Sequence, residues 1–491
     1  MSLNNLVKRL QDIMRNDAGI NGDAQRIEQM TWILFLKVYD AKEAIWELHD
    51  SDYRSIIPEA LRWRNWAVDN KDGKALTAEA LLTFVNNELF PGLKSLPIDE
   101  GTLTKKAIVQ AAFEDNNNYM KDGVLLRQVI NVIDEIDFEN YQDRHAFGDI
   151  YETILRSLQS AGNSGEFYTP RAVTDFMAKT VAPKLGERVA DFAFGTGGFL
   201  TSALNLLDQQ VKTTDERKQY SQSISGIEKK ALPYLLCVTN MILHDIDDPL
   251  VYHGNALERN VREYAESEKF EVILMNPPYG GSEKEGIKMN FPADLRSSET
   301  ADLFVILAMF RLKHKGRCAL ILPDGFLFGT DAAKFAIKEK LLREFNLHTI
   351  VRMPNSVFAP YTSITTNILF FDNLGKTDKV WYYRVDMPEG YKHFSKTKPM
   401  KLEHFDSCAN WWNDRVEIKD SETETFKAKA YSLQELLDRK LDLDLCGYPT
   451  VEEEVLSPEE TIRLFHEKRD DLNARIDARL VEIEKLLGIE R

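Results

Sequence analysis

Hydrophobic residues recur at helical spacing along the first part of the chain. Leu3, Leu6 and Leu10 begin one such series, and residues 27–38 carry a second, more apolar one. Spacings of three and four residues place apolar side chains on one face of a helix. Turn-forming stretches at 69–73 and 97–101 separate the helices that follow. The pattern predicts a helical domain over residues 1–143, which we interpret as a packing module.

Short apolar runs alternate with helical patterns in the middle of the chain. Predicted strands lie at 188–193, 223–227, 250–252, 270–275, 317–322, 347–352 and 366–371, the last two closing the sheet. Predicted helices lie at 148–158, 170–181, 199–207, 232–243, 302–312 and 332–345. Flexible loops are expected at 161–165 and at 280–298, where no periodicity is sustained. Strands that alternate with helices are typical of an α/β fold with a largely parallel sheet, here at 144–376.

Beyond residue 376 the pattern is mixed up to residue 456 and then becomes helical. Aromatic groups at 381–383 and 411–412 could stack on nucleic-acid bases, but the surrounding acidic residues favour packing in a core. Ser457, Pro458 and Glu460 are a helix-start signature for a final helix over 457–491. Its apolar stripe consists of Ile462, Phe465, Leu472, Ile476, Leu480, Ile483 and Leu487. The stripe could dock on a partner or pack on the chain's own catalytic domain.

Charge and cysteine usage narrow the classes of function. The 491 residues carry a formal net charge of −16, and affinity for DNA comes largely from Lys and Arg. A chain this acidic therefore needs a partner to bind DNA tightly. No apolar run approaches the roughly 20 residues of a membrane span, so we expect a cytoplasmic protein without a membrane partner. The four cysteines and nine histidines lack metal-ligand spacing, which predicts reduced, mostly buried thiols and no metal site.

The segment Asn276-Pro277-Pro278-Tyr279 follows the apolar run 270–275 directly. Proline cannot continue a strand ladder, so the chain has to leave the sheet at this point. Ligands of open α/β sheets bind at the carboxyl ends of the strands. A rigid turn there would hold an amide, backbone carbonyls and an aromatic ring around a small planar substrate.

A second group of candidate residues surrounds a glycine-rich turn. The predicted strand ending near Asp191 runs into Gly195-Thr196-Gly197-Gly198, and a helix follows. A strand, a glycine turn and a helix form the first unit of a nucleotide-binding α/β fold. The dinucleotide fingerprint is absent, which disfavours a pyrophosphate cofactor. Glu228 ends the next predicted strand, where an acidic residue would bind ribose hydroxyls, although acidic residues at strand ends are common.

A third segment, Glu166-Phe167-Tyr168-Thr169-Pro170-Arg171, precedes the glycine turn. Thr169 suits an N-cap and Pro170 the first position of a helix. Free N–H groups at such a helix start stabilise a carboxylate or another anion. By itself the segment could be only a capped helix, but its place before the glycine turn favours a cofactor site.

These motifs, in this order, resemble the modification subunit of type I restriction-modification systems, within the N6-adenine DNA methyltransferases. The resemblance implies a class I S-adenosylmethionine-dependent (Rossmann-like) domain with an N-terminal helical domain and a C-terminal helical tail. The family's usual Asp-Pro-Ala-Cys before the glycines is replaced here by residues 191–194, with Phe192 and Phe194. That departure affects the shape of the pocket more than the activity. The loop 353–361 also resembles the family.

The resemblance also implies roles for the site residues. Asn276, Pro277, Pro278 and Tyr279 would be catalytic, the tyrosine stacking on the target adenine. S-adenosyl-L-methionine would be the cofactor, with Asp191 supporting its methionine portion and Glu228 its ribose. Its other expected contacts are Glu166, Phe167, Tyr168, Thr169, Pro170, Arg171, Gly195, Thr196, Gly197 and Gly198, with Asn255, Ala256 and Leu257 near its adenine.

The expected partners follow from the same resemblance. They are a specificity subunit bound by two copies of this chain, a restriction subunit in the full complex, and double-stranded DNA with a flipped adenine. The helical domain would then help to clamp DNA. Two other readings remain open: a methyltransferase acting on RNA or on a protein glutamine, because the same tetrapeptide handles any planar nitrogen, and a non-catalytic assembly subunit. Intact residues 276–279 count against the last.

Overall fold

A computed structural model describes residues 3–69, 75–97, 104–136, 168–359, 361–395, 397–420, 425–449 and 457–487. The chain divides into two compact units, Met1–Gly447 and Tyr448–Arg491, as far as the described residues define them. The predicted helix at 148–158, the predicted loop at 161–165 and the candidate site residues Glu166 and Phe167 lie outside the described residues.

The N-terminal part is helical, as the periodicity predicts. Its helices are α1 (Leu3–Met14), α2 (Asp23–His49), α3 (Trp63–Trp66), α4 (Ala78–Phe84), α5 (Phe90–Lys94), α6 (Thr104–Glu114) and α7 (Gly123–Asp134), with a 3₁₀ turn at Glu59–Leu61 and a π turn at Val85–Leu89. The central helix is α2, in which Trp32, Phe35 and Tyr39 are buried. A helix that is apolar around its circumference has to lie inside a core.

One sheet organises the rest of the first unit. Its strands are β1 (Val189–Asp191), β2 (Ile224–Glu228), β3 (Leu250–His253), β4 (Phe270–Met275), β5 (Leu312–Pro323), β6 (Asn346–Arg352), β7 (Thr366–Asp372), β8 (Lys379–Arg384), β9 (Ile418–Lys419) and β10 (Phe426–Ser432). Among the described residues the strand order is β3-β2-β1-β4-β5-β7-β6-β8-β10-β9. β1 to β6 and β8 point the same way, whereas β7 and β10 are antiparallel to their neighbours. The predicted α/β fold is confirmed.

Helices cover both faces of this sheet. They are α8 (Arg171–Val181), α9 (Gly198–Asp208), α10 (Thr214–Ser221), α11 (Ala231–Leu243), α12 (Glu285–Lys288), α13 (Thr300–Arg311), α14 (Asp324–Phe328), α15 (Ala332–Glu344), α16 (Asp406–Asn413) and α17 (Leu433–Asp438), with 3₁₀ turns at Val261–Glu263, Glu266–Glu268, Ala293–Leu295 and Leu402–Phe405. The prediction of an irregular loop at 280–298 is wrong in part. α12 and a 3₁₀ turn lie within it, and Phe291 and Leu295 are buried, so apolar contacts hold this segment.

The sheet extends beyond the strand that was expected to close it. In the described part of the chain, β8, β10 and β9 lie beyond β6 and continue the same sheet. Tyr382, Tyr383 and Trp411 are buried there, and the Tyr383 and Trp411 ring centroids lie 4.8 Å apart. The prediction that these aromatic groups pack in a core is therefore confirmed.

Buried arginines tie the end of the first unit to the sheet. Arg352, at the end of β6, donates through Nη1 to the backbone oxygen of Leu445 at 2.7 Å. Arg384, at the end of β8, donates through Nη1 to the backbone oxygen of Gly447 at 3.0 Å. Because β6 and β8 are parallel to β4, both contacts lie at the carboxyl edge of the sheet.

The N-terminal helices pack directly on the sheet layer through α11. Lys42 of α2 forms ion pairs with Asp245 and Asp247, just beyond the end of α11. Lys105 of α6 lies 3.9 Å from the ring centroid of Trp46 and 3.8 Å from Asp248. Buried apolar surface with charged pairs at its edge joins the helical part and the sheet into one compact unit.

The second unit contains the predicted final helix, α18 (Pro458–Leu487). Its start is capped as expected, because the Ser457 backbone N–H donates to Glu460 Oε2 at 3.0 Å and the Glu460 backbone N–H donates to Ser457 Oγ at 3.2 Å. The apolar stripe is exposed at Phe465, Leu472 and Ile476.

The remaining predictions concern thiols, metals and membranes. Cys237, Cys318 and Cys408 are free and buried, and Cys446 is free and half-buried, as expected. In the described part of the chain no group of three or more His, Cys, Asp or Glu side chains is placed to hold a metal ion. None of the described helices has both the length and the apolar character needed to cross a membrane.

Candidate active site

A cavity of about 340 Å³ opens at the carboxyl edge of the sheet, beside the ends of β1, β2 and β4. Three segments singled out from the sequence meet in its wall, although they are separated by up to about a hundred residues. The wall residues among the predicted site positions are Tyr168, Thr169, Gly195, Thr196, Gly198, Glu228, Asn255, Ala256, Asn276, Pro277, Pro278 and Tyr279. The cavity is therefore the place where the predicted chemistry can be assembled.

Asn276 follows the last residue of β4 and makes hydrogen bonds through both ends of its amide. Its Nδ2 donates to Thr169 Oγ1 at 3.0 Å. Its Oδ1 accepts a hydrogen bond from the Tyr279 hydroxyl. Burial raises the pKa of Tyr279 well above its usual range, and this hydroxyl is the donor in the contact.

The glycine turn after β1 is organised by Glu228. Gly195 has a left-handed backbone with φ of +53°, which favours glycine, and its N–H donates to Glu228 Oε2 at 2.9 Å. The Lys230 backbone N–H donates to Glu228 Oε1 at 2.8 Å. The Lys229 backbone N–H also donates to this carboxylate. Because a carboxylate has about four acceptor sites, Glu228, which lines the cavity, can still accept a hydrogen bond from a ligand. Burial raises the pKa of Glu228 despite these backbone donors.

Gly197, Asp191 and Leu257 lie behind the cavity wall and not in it. A Cβ added at Gly197 would approach Cys237 Sγ to 2.6 Å, and φ there is +79°. Asp191 is fully buried, and its Oδ1 accepts from the Ala193 N–H at 3.0 Å. Burial raises the pKa of Asp191 well above its usual range, and the charge of Glu228 adds to the shift. These residues shape the turn from inside the protein.

The start of α8 differs from the predicted cap. Pro170 occupies the N-cap position and Arg171 is the first helical residue, so the expectation that Thr169 caps the helix is wrong. The Thr169 hydroxyl accepts from Asn276 instead. Arg171 Nη1 donates to the Gly198 backbone oxygen at 3.0 Å, which ties the helix start to the glycine turn.

Asn255 and Ala256 line the cavity beyond the end of β3. Asn255 Oδ1 accepts from the Leu257 N–H at 3.1 Å, a local turn that keeps Leu257 buried beneath it. Asn255 and Glu228 therefore border the same cavity.

Several wall residues were not assigned to the site from the sequence. Phe192 and Phe194 line the cavity, where the family's usual proline and cysteine would stand. Phe358 and Tyr361 come from the loop whose resemblance to the family was noted without a role. The others are Ala193, Phe199, Lys229, Lys230, Gly254, Gly281, Ser282, Glu283, Thr300, Phe304 and Thr362. Most of these adjoin a predicted motif in the sequence, and Gly281, Ser282 and Glu283 belong to the loop expected to lie over the active site. Thr300 and Phe304 have no such local signal, because only the fold brings them to the cavity.

The donor set fits a nucleoside-containing cofactor. Glu228 offers carboxylate acceptors for neighbouring hydroxyls, the Gly195 turn lets backbone approach closely, and aromatic rings supply flat walls. Asn276 lies in the same cavity and offers an amide to a second molecule. A bound nucleoside and a small planar acceptor could therefore meet in this space.

The parallel sheet with an antiparallel β7, the glycine turn and the Asn-Pro-Pro-Tyr edge define a class I methyltransferase fold that acts on amino or amide nitrogen. The comparisons with known proteins agree. Residues 142–455 match the N-6 DNA methylase family and residues 3–133 match the HsdM N-terminal domain. The chain belongs to the N-6 DNA methylase family, which confirms the resemblance noted from the motifs.

Relatives and solved structures support this membership. The chain is 51% identical to the type I restriction enzyme EcoEI methylase subunit of Escherichia coli, over 91% of this chain and 90% of that protein. A crystal structure of a modification subunit from Vibrio vulnificus is 41% identical, with a TM-score of 0.77 over 89% of this chain and 93% of that one. A chain from a structural study of type I complex assembly is 34% identical, with a TM-score of 0.80 over 100% and 99%.

Proposed function

We propose that this chain transfers a methyl group from S-adenosyl-L-methionine to the N6 atom of adenine in DNA, as the modification subunit of a type I restriction-modification complex. The observation that carries the proposal is the meeting of Asn276 and Glu228 in one cavity. The Asn276 amide can accept a hydrogen bond from an amino group, and the Glu228 carboxylate can accept hydrogen bonds from ribose hydroxyls. Family membership favours DNA over RNA or protein glutamine as the substrate.

The chemistry rests on hydrogen-bond acceptors. The adenine amino nitrogen is a weak nucleophile because its lone pair is delocalised into the ring. Asn276 Oδ1 and the Pro277 carbonyl accept hydrogen bonds from that amino group and return electron density to the nitrogen. The cofactor supplies an electrophilic methyl group on sulfonium. Positioning and electrostatic preorganisation then replace a strong general base.

The target base has to leave the duplex to reach this cavity. Tyr279 and Tyr361 lie in the wall, and a flipped base can stack on an aromatic ring there. We assign the stacking role to Tyr279, because its hydroxyl touches the amide that receives the amino group.

The proposed assembly rests on charge and on the family. With a net charge of −16, this chain needs a specificity subunit to bind its DNA site. The resemblance to type I modification subunits implies two copies of the chain to one specificity subunit, and a restriction subunit in the full complex. We assign 1–143 to the helical domain, 144–376 to the catalytic domain, 377–456 to the end of the sheet and its connection, and 457–491 to partner docking. A cytoplasmic location is part of the same proposal.

Asn276→Ala tests the proposed chemistry. We expect methyl transfer to fall by at least about a hundredfold, because aligned transition-state hydrogen bonds are worth about that much in other enzymes. Binding of S-adenosylmethionine, measured by isothermal titration, should stay near normal because the amide acts on the base. The assay follows tritiated methyl transfer from S-adenosylmethionine to unmodified genomic DNA by the chain co-purified with its specificity subunit.

Tyr279 supplies the matched comparison. Tyr279→Phe keeps a ring for stacking and should lose much less activity than Tyr279→Ala. Normal turnover by Asn276→Ala would contradict the assigned mechanism. Methylation of RNA or of protein glutamine in place of DNA adenine, read by mass spectrometry of the product, would replace the proposed substrate.

A further inference from the structure

We propose that Thr169 is a positioning residue for methyl transfer, whose hydroxyl fixes the orientation of the Asn276 amide. The inference rests on the function proposed above and deepens it. The motif that contains Thr169 was assigned to the cofactor as a whole, but the structure gives its threonine a contact with the nucleophile-binding residue.

The contact joins distant segments at one point. Asn276 Nδ2 donates to Thr169 Oγ1 at 3.0 Å across 107 residues of sequence. The backbone around Thr169 is restrained on the helix side, because proline fixes φ at residue 170 and Arg171 donates to the Gly198 backbone oxygen. The Thr169 side chain therefore has a restricted position, and it restrains the Asn276 amide that it contacts.

Orientation matters because the ends of a carboxamide are similar in shape and opposite in hydrogen bonding. The adenine amino group can only donate, so Oδ1 has to face it; Nδ2 in that place would set donor against donor. The Thr169 hydroxyl accepts from Nδ2 and so restrains rotation of the amide, with Oδ1 toward Tyr279 and the cavity. When the entering base displaces or shifts Tyr279, Thr169 still holds the amide.

The competing explanation is that Thr169 serves only the cofactor, since it lines the same cavity. The two roles separate in kinetics. Loss of amide orientation lowers kcat and leaves the affinity for S-adenosylmethionine unchanged, whereas loss of a cofactor contact weakens that affinity.

The test compares Thr169→Val, Thr169→Ser and Thr180→Val in the complex with the specificity subunit. Thr169→Val removes the hydroxyl at nearly constant volume and should lower kcat about tenfold or more, with KM and Kd for S-adenosylmethionine within about twofold of wild type. Thr169→Ser should recover most of kcat. Thr180, on α8, lies outside the cavity wall, and its hydroxyl donates to the Phe176 backbone oxygen at 2.7 Å, so it serves as the matched control that should resemble wild type.

A second measurement, which does not depend on catalytic activity, completes the test. In protein labelled with ¹⁵N at asparagine, the side-chain amide signal of Asn276, identified by its loss in Asn276→Ala, should move in Thr169→Val and stay near its place in Thr169→Ser. If the Asn276 amide signal does not shift in Thr169→Val, the inference is overturned. It is also overturned if Thr169→Val weakens S-adenosylmethionine binding while kcat stays normal. If wild type methylates no DNA adenine, the proposed function fails, and the signal alone then judges the positioning role.

Discussion

At the scale of single residues, Glu228 is an acidic side chain that contacts both the protein backbone and the cavity. Its oxygens accept from Gly195 and Lys230, so it sets the glycine turn and faces a ligand at the same time. Asp191, in contrast, is sealed behind the wall. A buried carboxylate with well-placed donors is preorganised for a further hydrogen bond, because its desolvation cost has already been met by folding.

Glu228→Ala is therefore expected to weaken S-adenosylmethionine binding by about tenfold or more. A hydrogen bond to a charged group contributes about 1.5–3 kcal/mol, and the variant also releases the Gly195 turn. Isothermal titration measures the dissociation constant directly. Glu258→Ala, at an exposed position outside the cavity wall, is the matched control and should bind as wild type does. Equal affinities for the two variants would contradict the assigned cofactor pocket.

Single residues also show which features of the site could be predicted from the sequence and which could not. Residues 276–279 could be placed at a strand end because prolines terminate β4 at the predicted point. The contact between Thr169 and Asn276 could not be predicted, since no local pattern encodes a side-chain pair so far apart in sequence. Gly197 belongs to the predicted cofactor motif, but a side chain at this position would collide with Cys237. That contact depends on the tertiary structure and could not be predicted from the sequence.

At the scale of elements, β6 contains a histidine whose surroundings suppress its charge. His348 lies against Phe370, with ring centroids 6.5 Å apart, and against Trp412, at 6.0 Å. Burial, together with the nearby charge of Arg415, lowers the pKa of His348 to about 4. The folded protein therefore keeps this imidazole neutral through the mildly acidic range.

This pKa predicts a loss of stability in acid. Between pH 6.5 and pH 4 the unfolded chain takes up a proton at His348 that the folded chain does not, so the free energy of unfolding falls as pH falls, by about 2 kcal/mol from pH 7 to pH 5. His348→Phe should remove that part of the slope in urea unfolding curves. His314→Gln, at an exposed position on β5, is the control and should keep it. An identical slope in His348→Phe and wild type would refute the prediction.

Elements were predicted best where one local rule decided them. β4, α8 and α11 agree with their predicted bounds to within a residue, because apolar runs and breakers define them. The continuation of the sheet through β8, β10 and β9 was missed. β9 has only two residues and therefore no pattern of its own. β10 alternates apolar and polar residues over 426–432, but its pairing with β8, from which α16 and β9 separate it along the chain, is set by the tertiary structure.

At the scale of the whole molecule, the final helix is the element with the largest exposed apolar stripe in the described second unit. Phe465, Leu472 and Ile476 are each more than half exposed. Deletion of residues 457–491 is expected to leave a folded protein that binds S-adenosylmethionine but no longer joins the specificity subunit or methylates DNA, because the unit 1–447 contains the complete cavity.

Co-purification measures binding to the specificity subunit, and calorimetry measures binding of S-adenosylmethionine. The two parts of this prediction are therefore tested separately. A matched variant with Phe465→Glu and Ile476→Glu keeps the helix length and interrupts the apolar stripe at two exposed positions, so it should also lose the partner. Normal stoichiometry of the truncated chain in the complex would refute the docking role. Loss of solubility or of cofactor binding would instead support packing of the stripe on the chain's own catalytic domain.

The arginine contacts at the ends of β6 and β8 bear on how the chain responds to mechanical load. Any pull transmitted through the chain beyond Gly447 reaches Arg352 and Arg384 first, since these side chains hold the last residues of the first unit. In the described sheet, β5 and β7 stand between β6 and β4. A force that a partner applies to the final helix would therefore strain the part of the sheet that contains β6 and β8. The turn that carries Asn276 would keep its geometry.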